Sequence, residues 1–160
     1  MNANKSTIEK FYSAFREKDY AGMIDCYHPD IHFRDEVFDL HGKSAGAMWH
    51  MLCSRGKDLQ VSYGGIEAAN NTGKAHWEAT YTFSPTGRKV HNSISAEFEF
   101  RDGKIIHHQD SFNFWKWSAM ALGPVGLLLG WSPGLRRKVA RTAAKSLEAF
   151  IEKHPHYKNP

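Results

Sequence analysis

Between Asp58 and Phe114 the chain alternates apolar and polar residues in four long runs divided by turn sequences. A period of two puts every second side chain on one face, so this block calls for hairpin-joined strands with one apolar face. Leu59, Val61 and Tyr63 open it, and Asn70-Asn71-Thr72-Gly73 turns the chain. Ala75, Trp77, Ala79, Tyr81 and Phe83 then share a face up to a second turn at Ser84-Pro85-Thr86-Gly87. Val90, Asn92, Ile94, Ala96, Phe98 and Phe100 follow, Arg101-Asp102-Gly103-Lys104 makes a hairpin turn, and a last strand covers Ile106 to Phe114. A sheet with an apolar face needs a cover, and the residues before it supply one.

Ser6-Thr7-Ile8-Glu9 has the form of a capping box, and Ile8, Phe11, Tyr12 and Phe15 recur at helical spacing, which predicts a helix from about Thr7 to Lys18. Asp19 caps a second, short helix with Met23, Ile24 and Tyr27 inward, ended by His28-Pro29. Ile31-His32-Phe33-Arg34-Asp35 alternates as a short strand with Ile31, Phe33 and Asp35 on one side. A third helix is expected from Ser44 to about Arg55, stopped by Gly56. The fold class is therefore α+β, a strongly curved antiparallel sheet wrapped on N-terminal helices. At 160 residues, 41 % hydrophobic and 24 % charged, one domain with a real core is the expectation. Cys26 and Cys53 fit neither a disulfide framework nor a metal-ligand spacing, and the first residues show no apolar leader, so the expected location is cytoplasmic.

The last strand carries the leading functional candidate. His108, Asp110, Phe112 and Phe114 share its aromatic face, so Asp110 is expected to be buried, and a buried carboxylate must be hydrogen-bonded, protonated or functional. Desolvation would tune it as a general base for taking a proton from a carbon beside a carbonyl. Donors for the resulting enolate are sought on the inward faces at His108, Asn92, Tyr63 and Tyr12. Trp49, Trp77, Phe98 and Phe112 would line a site for a flat apolar ligand, although most such aromatics are core in either case. The alternative for Asp110 is a structural contact with His108, Asn92 or a helix end. The chain has ten histidines, yet apart from His32 with Arg34 and His76 with Glu78, expected to point outward, their spacing gives no recurring ligand pair on one helix or strand face, and no metal is expected.

The element order, with Phe11-Tyr12-Ser13-Ala14-Phe15, Tyr27-His28-Pro29-Asp30-Ile31, His41-Gly42 and the run Asp102-Gly103-Lys104-Ile105-Ile106-His107-His108-Gln109-Asp110, resembles the nuclear transport factor 2-like superfamily. Within it the chain is most similar to the SnoaL-like branch of polyketide cyclases, itself similar to ketosteroid isomerases. The resemblance covers roughly residues 5–114 and implies a cone of sheet and helices around a small-molecule pocket. It also implies that Asp110 stands at the cyclase general base and Asp35 at the isomerase one. The cyclase oxyanion histidine falls on Ala96 and the isomerase helix-one tyrosine on Phe11, one step from Tyr12. The family's chemistry is cofactor-independent, and a homodimer through the outer sheet face is implied, with His91, Ser93, Ser95, Glu97 and Glu99 beside His107, Gln109 and Ser111. Two functions remain open: an isomerase, cyclase or hydratase-like enzyme on a hydrophobic carbonyl compound, using Asp110, His108 and Asp35, or a module that only binds an apolar ligand or dimerises.

Residues 1–115 are expected to form the cone domain and 116–160 a helical extension. The extension holds the basic character of the chain, with 8 Lys/Arg against 2 Asp/Glu, while residues 1–115 carry 13 against 15. Its apolar stretch Leu122–Trp131 precedes a helix opened by Ser132-Pro133 and running to about Glu152, with Leu135, Val139, Ala143, Leu147, Phe150 and Ile151 near one face. That helix is read first as a lid over the pocket or a packing element, with association to an anionic membrane surface as the alternative. Its aromatics are not interleaved with its cations, which argues against nucleic acid.

Overall fold

A computed structural model describes residues 2–160. The first helix, α1 (Ala3–Arg16), starts a turn earlier than the Ser6–Glu9 box predicts, because Asn2 Oδ1 accepts from the N–H groups of Asn4 and Lys5 at 2.8 and 3.3 Å. Ile8, Phe11, Tyr12 and Phe15 form its buried face. Asp19 caps α2 (Tyr20–Asp25) through the Gly22 N–H, and Met23 is buried. Tyr27 lies beyond that helix and opens β1 (Tyr27–Arg34). Pro29 is tolerated there because pairing with the neighbouring strand is interrupted between Tyr27 and His32. A three-residue strand, β2 (Asp39–His41), was not expected; it leads into α3 (Lys43–Arg55), which stops at Gly56 as predicted.

The long strands follow as β3 (Gln60–Ala69), β4 (Thr72–Phe83), β5 (Arg88–Arg101) and β6 (Lys104–Ser111), in the sheet order β2-β1-β6-β5-β4-β3. The sheet is not wholly antiparallel. β1 runs parallel to β6, since the chain reaches β6 only after travelling through the three other long strands. β6 ends at Ser111, and Asn113, expected on a strand face, instead caps α4 (Phe114–Leu122) through the Lys116 N–H.

Alternation does what the sequence asks. Along β5 the side chains of Val90, Asn92, Ile94, Ala96, Phe98 and Phe100 are buried and their neighbours exposed. Their face packs with α1 and α3 into one large core that includes Trp49, Trp77 and Phe33. A second, smaller core forms where α4 crosses one end of the sheet: Phe114, Trp117 and Ala121 meet Val90, Tyr81 and Phe83. Three hydrogen bonds fasten that helix, from Trp117 Nε1 to Tyr81 Oη at 2.9 Å, Thr86 Oγ1 to the Ala121 carbonyl at 2.5 Å and Arg88 Nε to the Met120 carbonyl at 2.9 Å. α5 (Pro124–Leu129) folds back on α4, and α6 (Pro133–Lys153) then runs along α3, burying Leu147 and Phe150. Arg55 donates to Ser146, and Tyr157 Oη meets His50 Nδ1 at 2.8 Å. At its other end Arg136 pairs with Glu36 at 2.8 Å.

Candidate active site

Asp110 stands on β6 directly across from Ala96 on β5, and His108 across from Phe98. Both polar side chains face the core, His108 fully enclosed and Asp110 2 % exposed. His108 Nε2 lies 2.9 Å from Asp110 Oδ1, and the other ring nitrogen, Nδ1, lies 2.8 Å from Tyr27 Oη. Trp49 Nε1 donates to the same Tyr27 oxygen at 2.8 Å. An indole N–H can only donate, so Tyr27 Oη is the acceptor of that bond, and one assignment of the rest gives every hydrogen an acceptor. Tyr27 accepts from Trp49 and gives its own hydrogen to His108 Nδ1. His108 therefore carries its proton on Nε2 and donates to Asp110, which leaves every hydrogen in the string with an acceptor. Aromatic rings enclose it: Trp49 stacks on His108 at 17°, and Phe33 and Phe11 stand edge-on to the imidazole.

Asp110 is bound on one side only. Trp77 Nε1 adds a long contact of 3.4 Å, again to Oδ1, and among the described residues Oδ2 has no hydrogen bond. The hydroxyl of Tyr12 is enclosed with no hydrogen-bond partner among the described residues. Burial holds the Tyr12 phenol well above the usual tyrosine range and the Asp110 charge pushes it further, which places the two groups in electrostatic reach. An unsatisfied buried hydroxyl costs about 1–3 kcal/mol, so its retention calls for a reason. Tyr12 stacks on half-buried Tyr63 and stands edge-on to Phe98, so the lining expected from Tyr12, Tyr63, Trp77 and Phe98 is brought together around Asp110. Asn92 is buried two inward positions beyond Ala96, toward α4, and among the described residues its side chain has no hydrogen bond. Phe112 is half-buried where the two cores meet.

Asp35 lies just past β1, where its Oδ1 accepts from the N–H groups of Val37 and Phe38 at 2.8 and 2.6 Å. Burial lifts its carboxyl from 3.8 to about 6, opposed by those two backbone bonds and helped by the charges of Asp110 and Glu36. A folded-state value above the unfolded one means that the native state holds the proton longer. Stability is unaffected below about pH 4, falls as pH rises from 4 to 6, and stays reduced above that by at most about 3 kcal/mol. Asp35→Asn keeps the acceptor oxygen and removes the charge. Denaturant unfolding should show it equal to the parent at pH 3 and more stable by about 1–3 kcal/mol at pH 8; a gain independent of pH would contradict this assignment.

On the outer face, cross-strand pairing gathers His32, Asp39 and His41, whose ligand atoms lie within 4.8 Å of one another. A three-residue strand such as β2 is too short to show a period in the sequence, so their meeting is not legible there. His32 and Asp39 already satisfy each other at 2.6 Å. His91, Ser93, Ser95, Glu97 and Glu99 are exposed on this face. Two surface depressions, of about 370 and 280 Å³, lie between α3 and the C-terminus and beside Tyr63; Asp110 lines neither.

A SnoaL-like domain model matches residues 8–108, and the chain belongs to that family. Its fold is that of the nuclear transport factor 2-like superfamily, as in a protein of unknown function from Burkholderia pseudomallei (16 % identity, 70 % of this chain and 92 % of that one, TM-score 0.60). It is similar to AclR, a proposed hydroxylase from Streptomyces galilaeus, at 23 % identity over 81 % of this chain and 97 % of that one, with a TM-score of 0.60. An LEH-like epoxide hydrolase of M. tuberculosis shares 18 % identity over 79 % and 96 % of the two chains, with a TM-score of 0.64. Among curated proteins none matches.

Proposed function

We propose that the protein is a cofactor-independent acid–base catalyst acting on a small hydrophobic carbonyl compound. One observation carries this reading: the Tyr12 hydroxyl, a proton donor, is enclosed without a partner among the described residues and within electrostatic reach of buried Asp110, whose hydrogen bonds fall on Oδ1. Oδ2 takes a proton from the carbon beside the carbonyl, and Tyr12 donates a hydrogen bond to the enolate oxygen as charge develops there. In this reading Tyr12 supplies the donor that Ala96, across from Asp110, cannot. His108 is a positioning residue that holds Asp110 through Oδ1, and Asp35 is a second carboxylate toward α4. The names of its structural neighbours, a hydroxylase and an epoxide hydrolase, agree with a small-molecule substrate.

The same interior is tightly filled, with Trp49, Phe98 and His108 no more than 2 % exposed, and this favours a second reading in which the domain does no chemistry and serves as a binding or dimerisation module. Incubation with small apolar ketones in deuterated water separates the two. Catalysis predicts loss of the α-proton NMR signals in proportion to protein concentration. Ketone binding with no exchange above buffer would replace it by the binding module.

A further inference from the structure

Trp115, Val125, Leu127, Leu128, Leu129 and Trp131 are between 48 and 69 % exposed, and among the described residues the one other exposed large hydrophobic is Leu52 at 37 %. Six large apolar side chains exposed within seventeen residues exceed what a water-facing surface carries without a partner. The segment is also closely packed. Gly126 lets α5 close on α4 so tightly that a Cβ there would sit 1.8 Å from the Ser118 carbonyl oxygen, and Gly130 approaches Trp115 in the same way.

Helix ends normally leave four carbonyls for water. Here Gly126 O accepts from the Gly130 N–H, Leu127 O from Trp115 Nε1, Leu128 O from Trp131 Nε1 and Leu129 O from the Ser132 N–H, at 2.7 to 2.9 Å. The end of α5 can therefore leave water without an orphaned carbonyl, which is the condition a bilayer imposes on any backbone that enters it. Directly after the tip, α6 presents Arg137, Lys138, Arg141 and Lys145, all exposed and none in an ion pair among the described residues.

We infer that the α4–α5 tip and the start of α6 form a docking surface for an anionic lipid bilayer. The leucines enter the boundary of the acyl chains, the two tryptophans sit at head-group level, and the cations meet lipid phosphates. No helix among the described residues is long and apolar enough to cross the membrane, so the attachment is peripheral. A second copy of the chain fits the surface less well, because a twofold contact through the tip would bring the two basic bands toward each other, whereas anionic lipid neutralises them.

Vesicle flotation of the full chain tests the proposal. Vesicles of phosphatidylcholine with about 30 % phosphatidylglycerol should capture it at least ten times more tightly than phosphatidylcholine alone. Leu127→Ser/Leu128→Ser/Leu129→Ser and Arg137→Gln/Lys138→Gln/Arg141→Gln should each weaken capture at least tenfold while circular dichroism stays unchanged. Brominated lipid should quench the parent's tryptophan emission on binding. Capture by neither vesicle overturns the proposal, as does capture that the leucine substitutions leave intact. A leucine variant that turns a dimer into a monomer, with no vesicle binding by the parent, would assign the surface to contact between copies instead.

Discussion

Asp110→Asn should abolish nearly all protein-dependent α-proton exchange, lowering it by about 10²–10⁴-fold, the contribution of a positioned general base. The substitution is close to isosteric. Its amide oxygen still accepts from His108 Nε2 and Trp77 Nε1, and the amide nitrogen takes the place of Oδ2, which among the described residues has no hydrogen bond to lose. Unfolding midpoints should therefore stay near the parent's while the rate collapses. Tyr12→Phe should cost a smaller factor and, because that hydroxyl is unpartnered, should leave stability unchanged or raise it. Exchange by Asp110→Asn within about twofold of the parent would remove Asp110 from the chemistry and with it the proposed mechanism.

The largest loss of stability is expected from Tyr27→Phe. The ring keeps its apolar contacts, including its stack on Phe11, but the deleted hydroxyl is the acceptor for Trp49 and the donor to His108. Trp49 is 1 % exposed and His108 fully enclosed, so two buried polar atoms lose their partners at once. At about 1–3 kcal/mol each the loss is roughly 2–6 kcal/mol, a large part of the 5–15 kcal/mol that holds an ordinary domain together. Urea unfolding should show a lower midpoint with unchanged slope. The imidazole would also be free to move its proton to Nδ1, which would withdraw the donor from Asp110. A loss below about 1 kcal/mol would mean that the string does not bear on stability.

The strands and the burial of Asp110 were legible because both are written in a period of two. Each inward residue from Val90 to Phe100 lies where its alternation put it. The partners of Asp110 were less legible. His108 shares its strand and was expected beside it, but Tyr27 was assigned to the inner face of a helix. It is a strand residue whose partners lie 22 and 81 positions away, and only the parallel pairing of β1 with β6 brings them together. The short β2 fell below any periodic signal, and with it went the His32–Asp39–His41 group. The first helix was misplaced by a turn because a well-formed capping sequence at Ser6 competes with Asn2, which makes the cap. Alternation beyond Ser111 continued on paper into Phe112 and Phe114, and the Asn113 cap ends it in the folded chain.

The five tryptophans divide in a way that gives the molecule two optical channels. Trp49 and Trp77 are buried within the cone, hydrogen-bonded to the string that ends at Asp110, while Trp115 and Trp131 are solvated at the far tip of the tail. Trp117 lies between them, bound to Tyr81. Emission from the cone pair should be blue and respond to whatever enters beside Asp110; emission from the tip pair should be red and respond to what the tip touches. Occupancy of the interior and engagement of the tail can thus be followed separately, in one sample, without a label.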